Sequence, residues 1–129
     1  MRRLVAAGVF FMASIAALSG CDTVGVSGTP EVRVENRSTL VFDEVRYWAA
    51  NNKLTYTDLG AGSASPYVEA SGAYGYTTTM VVVGSDTVRL QVIDYVGETP
   101  LADGRYTYVL DVLGEAGSRS LTQELRRDP

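Results

Sequence analysis

Histidine is absent from this sequence of 129 residues, and its only cysteine and only lysine are Cys21 and Lys53. The lack of histidine removes the commonest general base, the commonest zinc ligand and every nucleophile that relies on a neighbouring imidazole. One cysteine can form no disulfide within the chain and no cluster of thiolate ligands. Lys53 lies beside Asn51 and Asn52, a turn composition in which a lysine is solvated. We therefore expect neither enzyme activity nor a cofactor.

The acidic residues offer the main alternative to that expectation. Asp94, Glu98 and Asp103 lie on or beside one long connection, and Asp111 follows on the next strand. Their spacing does not follow an EF-hand loop, and a glycosidase would need two of these carboxylates to converge. Carboxylates on loops are usually solvated or stabilise a turn, as Asp103 before Gly104 is predicted to do. The sequence therefore predicts no metal site.

The first 21 residues have the pattern of a secretory signal. Arg2 and Arg3 precede an apolar run over residues 4–17, which reaches roughly 21 Å as a helix and is too short to cross a hydrocarbon core of about 30 Å. The segment then ends in Leu18-Ser19-Gly20-Cys21. We expect residues 1–20 to be a signal peptide that is removed.

The ending of this segment resembles the bacterial lipobox. In that motif small residues fit the peptidase, and the cysteine thiol accepts a diacylglycerol before cleavage. The resemblance implies that Cys21 is lipidated and anchors the chain to a membrane of the bacterial envelope, facing the periplasm or the cell surface. An unmodified buried cysteine beside an ordinary cleavage site is the alternative.

Residues 21–30 have the small, polar and glycine-containing composition of a flexible linker, and residues 31–129 are long enough for one domain. The chain after the signal peptide carries 9 basic and 15 acidic residues, a net charge of −6. This charge would repel nucleic acid and bare anionic lipid. The arginines are scattered along the sequence, so we expect no basic patch.

Apolar residues recur with a period of two, which predicts half-buried β-strands. Three such stretches have alternating apolar residues beginning at Val32, Val45 and Val88. Further strands are predicted for residues 54–59, 67–70, 74–83, 105–113 and 118–125, which are rich in β-branched and aromatic residues. About eight strands and no helix in the mature chain predict an all-β fold.

The connections favour a sandwich. Gly84-Ser85 suits a two-residue hairpin, Asn51-Asn52 tolerates the left-handed region, residues 114–117 form a third short connection, and Asn36-Arg37-Ser38 is a strand-end turn. Residues 60–66 and 94–104 are longer and suit crossings between two sheets. We therefore predict an antiparallel β-sandwich with Greek-key connections.

The segment from Leu101 to Leu110, with Gly104 and Tyr106 at its centre, resembles the entry to a late strand in immunoglobulin-like and fibronectin III-like domains. The resemblance implies a tyrosine corner, in which the Tyr106 hydroxyl bonds back to the preceding connection. The whole chain also resembles small β-rich lipoproteins of bacterial envelopes, a likeness that implies no site residues.

Three aromatic residues are candidates for binding. Trp48 shares its strand parity with Glu44 and Arg46, which predicts that it faces solvent, whereas Tyr67 follows Pro66 and Tyr95 opens a long connection. Exposed aromatic rings stack on sugars or anchor protein partners. In the plainer interpretation, which the sequence favours, Trp48 covers a gap between the sheets.

These observations predict a lipid-anchored, non-enzymatic β-sandwich module of the bacterial cell envelope with a structural or protein-interaction role. Its partners would be the membrane, through acylated Cys21, and an envelope protein or glycan. The alternative function is a carbohydrate or small-ligand binding domain that uses the exposed aromatic residues.

Overall fold

The computed structural model describes residues 29–95 and 97–129, which form eight β-strands and no helix. The predicted signal peptide of residues 1–20 and the lipidation site Cys21 lie outside these residues, as does all but the end of the predicted linker. The strands are β1 Pro30–Asn36, β2 Phe42–Ala49, β3 Asn52–Leu59, β4 Val68–Glu69, β5 Thr79–Val83, β6 Asp86–Leu90, β7 Gly104–Leu113 and β8 Ser120–Asp128.

The strands form two four-stranded sheets, which confirms the predicted all-β sandwich. Sheet I has the order β4-β1-β7-β8, and sheet II has the order β3-β2-β5-β6. Every pairing is antiparallel except that of β1 with β7, whose parallel register runs from Pro30 opposite Gly104 to Asn36 opposite Leu110. Parallel partners need a long connection, and here most of the domain separates β1 from β7 in sequence.

Four connections cross between the sheets, and three are hairpins. The predicted crossing at residues 60–66 lies within the observed connection of residues 60–67. The predicted crossing at residues 94–104 overlaps the observed connection of residues 91–103 and extends one residue into β7, which begins at Gly104. A further long crossing, residues 70–78, includes part of the predicted strand over residues 74–83, of which only Thr79–Val83 is strand. In this segment a backbone group forms a hydrogen bond with a side chain rather than with a neighbouring strand: Thr77 N donates to Gln123 Oε1 at 2.8 Å.

The two tight hairpins of sheet II show how register competes with turn chemistry. Gly84 has a φ of 61°, as the predicted Gly84-Ser85 turn requires. In the β2–β3 hairpin Ala49 pairs with Asn52, so the turn lies one residue earlier than predicted and Ala50 takes the positive φ of 58°. A shift by one residue would turn the buried residues of β2 outward, which outweighs the preference for asparagine.

The core lies between the two sheets and is built from alternate residues of the strands. In β1, Val32 and Val34 are fully buried, and in β2 the same holds for Val45 and Tyr47. Tyr47 meets Tyr108 of the opposite sheet edge to face, with ring centroids 6.1 Å apart. The residues that form this core each expose less than a tenth of their surface: Val32, Val34, Phe42, Val45, Tyr47, Ala49, Leu59, Ala70, Ala73, Val81, Val83, Val88, Tyr106, Tyr108, Leu110, Val112 and Leu121.

Tyr106 has the geometry expected of a tyrosine corner. Its side chain is 5% exposed, and its hydroxyl donates to the carbonyl oxygen of Ala102 at 2.9 Å. The guanidinium of Arg127 lies 5.6 Å from its ring centroid and donates to the carbonyl oxygen of Asp103. The start of β7 is thereby tied to the connection that precedes it.

We predict that Tyr106→Phe lowers the free energy of unfolding by about 0.5–1.5 kcal/mol, because it removes one hydrogen bond and leaves the Ala102 carbonyl without that donor. Urea unfolding followed by fluorescence measures the change. Tyr56→Phe is the matched control, because Tyr56 is only half-buried and its hydroxyl forms no hydrogen bond with the residues that the structure describes. An unchanged midpoint for Tyr106→Phe would contradict a stabilising role for the corner.

Candidate functional site

An aromatic cleft lies at one end of the sandwich, where the β2–β3 turn faces the two long connections of residues 70–78 and 91–103. Its volume is about 210 Å³. We define the aromatic cleft by its four aromatic wall residues, Trp48, Tyr74, Tyr76 and Tyr95. The side chains that complete its lining are those of Ala50, Asn51, Ser71, Ala73, Thr77 and Tyr108, together with the backbone of Gly72.

Stacked rings join the two connections that form the cleft. The ring of Tyr95 lies 4.4 Å from that of Tyr74 at an interplanar angle of 16°, and 5.5 Å from that of Tyr76 at 26°. Such offset stacks add stabilisation beyond the area they bury. Trp48 stands on the neighbouring strand β2 and is 40% exposed, which confirms that it faces outward.

Hydrogen bonds to the core hold the cleft walls in place. Thr77 Oγ1 donates to the carbonyl oxygen of Trp48 at 2.8 Å, and Gln123 of β8 binds both backbone groups of Thr77. The fully buried Tyr108 donates its hydroxyl to the carbonyl oxygen of Tyr74 at 2.6 Å. The site is therefore formed before a ligand arrives, which lowers the entropy cost of binding.

The rim of the cleft is acidic. Partial burial raises the pKa of Tyr76, and the negative charges of Glu98 and Asp94 raise it further. Burial also raises the pKa of Tyr108. Both hydroxyls thus keep their protons at neutral pH, so they act as hydrogen-bond donors rather than as bases.

The lining of the cleft offers aromatic ring faces and polar groups to a ligand. Within residues 29–95 and 97–129 there is no group of three or more histidine, cysteine, aspartate or glutamate side chains that a metal ion could join. In the same residues no helix has the length and apolar character needed to span a membrane.

The structure places two of the three predicted binding residues in the same cleft. Trp48 and Tyr95 both line the aromatic cleft, whereas Tyr67 lies on the outer face of sheet I. There its hydroxyl donates to Asp128 Oδ2 at 2.7 Å, and its ring lies 4.5 Å from the guanidinium carbon of Arg33 and 5.1 Å from that of Arg105. Tyr67, which precedes β4 at one edge of sheet I, is thus bonded to the end of β8 at the other edge, a role that its position after Pro66 does not reveal.

Tyr74 and Tyr76 line the cleft but were not among the binding residues predicted from the sequence. Alternation predicts that Tyr74 and Tyr76 fill or edge the core from a strand over residues 74–83. The strand begins only at Thr79, and both tyrosines are half-buried on the cleft wall. The signal that identifies them is local: Ser71-Gly72 precedes them and Gly75 separates them, and Gly72 has a φ of 90°. Glycine at that density marks a connection rather than a strand interior.

The outer face of sheet I carries a network of charges around Asp128. Its carboxylate accepts hydrogen bonds from Thr107 at 2.6 Å, from Tyr67 at 2.7 Å and from Arg126 at 2.9 Å. Burial alone would favour the neutral acid, but the three hydrogen bonds outweigh it and lower the pKa of Asp128 to about 2. Arg126 also binds Glu35 at 2.9 Å, and both carboxylates raise its pKa.

Among solved structures, one with a TM-score above 0.5 supports the fold of this chain and nothing further. A protein from Eubacterium rectale solved by NMR has a TM-score of 0.51 at 13% identity, covering 81% of this chain and 94% of that one. The C-terminal domain of AlgF from P. aeruginosa has a TM-score of 0.38 at 22% identity, covering 76% and 98%. A candidate cell adhesion protein from Bacteroides uniformis has a TM-score of 0.35 at 8% identity, covering 77% and 50%. No protein-family model and no curated protein sequence matches this chain.

We predict that Asp128 stabilises the domain above pH 4 and that this contribution disappears as the pH falls from about 4 to about 2. Because its folded pKa of about 2 lies below the unfolded value of 3.8, the unfolded chain binds the proton first and acid favours unfolding. Asp128→Asn should lower the free energy of unfolding at pH 7 by roughly 1–2 kcal/mol and flatten its decline in this window. Urea unfolding at pH 7, 4 and 2.5 measures both effects. Equal pH dependence in wild type and variant would refute the assignment.

Proposed function

We propose that this protein is a lipid-anchored, non-enzymatic module of the bacterial cell envelope that recognises an envelope partner through the aromatic cleft. The aromatic cleft is the observation that carries the proposal. It presents Trp48, Tyr76 and Tyr95 to solvent on walls that are hydrogen-bonded to the core. Rigid aromatic side chains dominate recognition surfaces because they bury a large area at a small entropy cost.

The anchor part of the proposal rests on the sequence. Leu18-Ser19-Gly20-Cys21 resembles a lipobox, and the residues up to Pro30 have linker composition. Since β1 begins at Pro30, the linker is the eight residues from 22 to 29, which would reach about 26 Å when extended and would let the domain contact partners away from the bilayer. Two or three acyl chains, at about 0.8 kcal/mol for each buried methylene, would hold the protein firmly at the membrane.

The proposal of a non-enzymatic role rests on the residue types present. The sequence has no histidine, and its one cysteine is assigned to lipidation. The hydroxyls of Tyr76 and Tyr108 have raised pKa values and stay protonated at neutral pH, so they are not available as bases. These groups suit binding and orientation rather than proton transfer or nucleophilic attack.

A carbohydrate or another small molecule is the second candidate partner. The concavity of the aromatic cleft favours it, since aromatic faces there adjoin the polar side chains of Asn51 and Ser71. At about 210 Å³ the cleft is smaller than the roughly 300–1,000 Å³ of sites for drug-sized ligands, so it would hold a single ring. Retention of the domain on a glycan column would distinguish this candidate from a protein partner.

We predict that Cys21→Ser abolishes acylation and releases the protein from the membrane fraction. Incorporation of labelled palmitate and fractionation of cells measure the two effects. Ser19→Ala is the matched control, because alanine is also small and should still be processed. Failure of the wild type to incorporate the label would overturn the proposed anchor.

We predict that Trp48→Ala weakens capture of an envelope partner by more than about 1 kcal/mol, or about fivefold in affinity, while costing little stability. Crosslinking in intact cells followed by quantitative pull-down measures capture, and urea unfolding measures stability. Leu113→Ala is the control, since Leu113 is 50% exposed but does not line the cleft. A loss of several kcal/mol in stability would instead make Trp48 a structural residue.

A further inference from the structure

Two cations on the outer face of sheet II form no ion pair with any residue that the structure describes. Nine basic residues lie in the part of the chain that the structure describes, and six of them form ion pairs within 4.0 Å. Arg127 donates to a backbone carbonyl. Lys53 and Arg89 remain, both exposed and with no carboxylate within 4.0 Å among the described residues.

Strand register brings these two cations to one depression. Lys53 on β3 lies directly opposite Trp48 on β2, and Met80 on β5 lies between Arg46 and Arg89. Lys53 and Arg89 stand on the two edge strands and are offset by two residues along them, so their backbones are about 16 Å apart, and their long side chains both line the depression. The depression has a volume of about 160 Å³, and we name it the basic patch: Arg46, Trp48, Lys53, Thr78, Met80 and Arg89.

The basic patch is an excess of positive charge on an acidic protein. Glu44 neutralises Arg46, and it is the one carboxylate that the ion pairs of the described residues place on this patch. Lys53 and Arg89 are left uncompensated, while the whole sequence has a net charge of −4. The scattered arginines had predicted no such patch, because sequence distance does not reveal which residues share a sheet face.

We propose that the basic patch binds an acidic sugar residue of a glycan, with its ring on Trp48 and its carboxylate between Lys53 and Arg89. The proposal deepens the proposed function, since it uses Trp48, but it adds a second surface beside the aromatic cleft. An exposed indole offers an apolar face for a sugar ring. Lysine and arginine form charge-assisted hydrogen bonds with a carboxylate. The small depression matches one ring rather than an extended surface.

Two other anionic partners fit less well. Nucleic acid requires many phosphate contacts, and two uncompensated cations on an acidic domain do not provide them. An anionic bilayer attracts basic residues by about 1 kcal/mol each near its surface, so this patch would gain only about 2 kcal/mol against repulsion of the rest of the domain. An anionic group attached to a ring uses both the charges and the indole.

The test uses trigalacturonic acid and its methyl ester, which has the same rings without the negative charge. We expect the acid to shift the indole N–H resonance of Trp48 and the amide resonances of β6 in an NMR titration at low ionic strength. The methyl ester should bind at least about tenfold more weakly, because it forms no charge-assisted hydrogen bonds. Equal affinity for the acid and the ester, or no binding of the acid, would overturn the proposal.

Variants separate this proposal from the proposed function. The double variant Lys53→Gln/Arg89→Gln should reduce affinity for trigalacturonic acid about tenfold or more. The double variant Arg37→Gln/Arg105→Gln makes the same charge change on sheet I, where exposed ion pairs contribute little to stability, and should retain binding. An equal loss of affinity in both double variants would mean that the net charge of the domain, rather than this site, attracts the uronate, and would overturn the proposal.

Two further ligands and one further variant distinguish an acidic sugar on the basic patch from other partners and from binding at the aromatic cleft. Glucose 6-phosphate in place of the uronate tests whether a sugar phosphate has the same effect, and stronger binding of it would overturn the choice of a carboxylate. Binding to phosphatidylglycerol vesicles that Lys53→Gln/Arg89→Gln abolishes, without uronate binding, would assign the patch to the membrane. Tyr76→Ala/Tyr95→Ala alters only the aromatic cleft, so it should weaken partner capture and leave uronate binding intact.

Discussion

The hydroxyl of Tyr108 links the core to the candidate site, and the shape of the aromatic cleft depends on it. Its ring is fully buried and packs against Tyr47 of the opposite sheet. A buried hydroxyl without a partner is costly, and this one donates to the carbonyl oxygen of Tyr74. Residues 70–78 therefore fold over the end of the sandwich, where their carbonyl meets the donor, instead of extending β5. The position of Tyr108 in the core therefore also sets the position of the cleft wall.

A second buried polar group, the side chain of Asn36, joins the connection between β1 and β2 to the end of β3. Asn36 is fully buried at the end of β1, and all four of its side-chain hydrogen-bonding positions are used. Its amide donates to the carbonyl oxygens of Leu40 and Leu59, and its oxygen accepts from the backbone N–H and the hydroxyl of Ser38. The strand-end turn predicted at Asn36 is thus also the junction of both sheets, since Leu59 ends β3.

Charge is divided between the two outer faces. On sheet I, arginines and carboxylates alternate across β1, β7 and β8 and neutralise one another, as Arg105 does with Glu31 and Arg126 with Glu35. On sheet II, Lys53 and Arg89 have no such partner among the described residues. One face is therefore suited to holding the strands together and the other to attracting an anion. Trp48 lies where the basic patch meets the aromatic cleft, so it is shared by both proposed binding surfaces.

Local pattern determined much of this protein. Alternation in β1 and β2 identified the buried valines and the outward position of Trp48, because strand parity is a property of neighbouring residues. Gly84-Ser85 identified a hairpin because positive φ is a property of residue type. Tertiary structure alone decided the parallel pairing of β1 with β7 and the placement of Tyr74 and Tyr76 on the cleft wall. It also decided the position of Tyr67 on the outer face of sheet I and the placement of Lys53 and Arg89 around one depression. Each of these depends on which distant strands become neighbours, and that choice comes from burying the two sheets against each other rather than from any local preference.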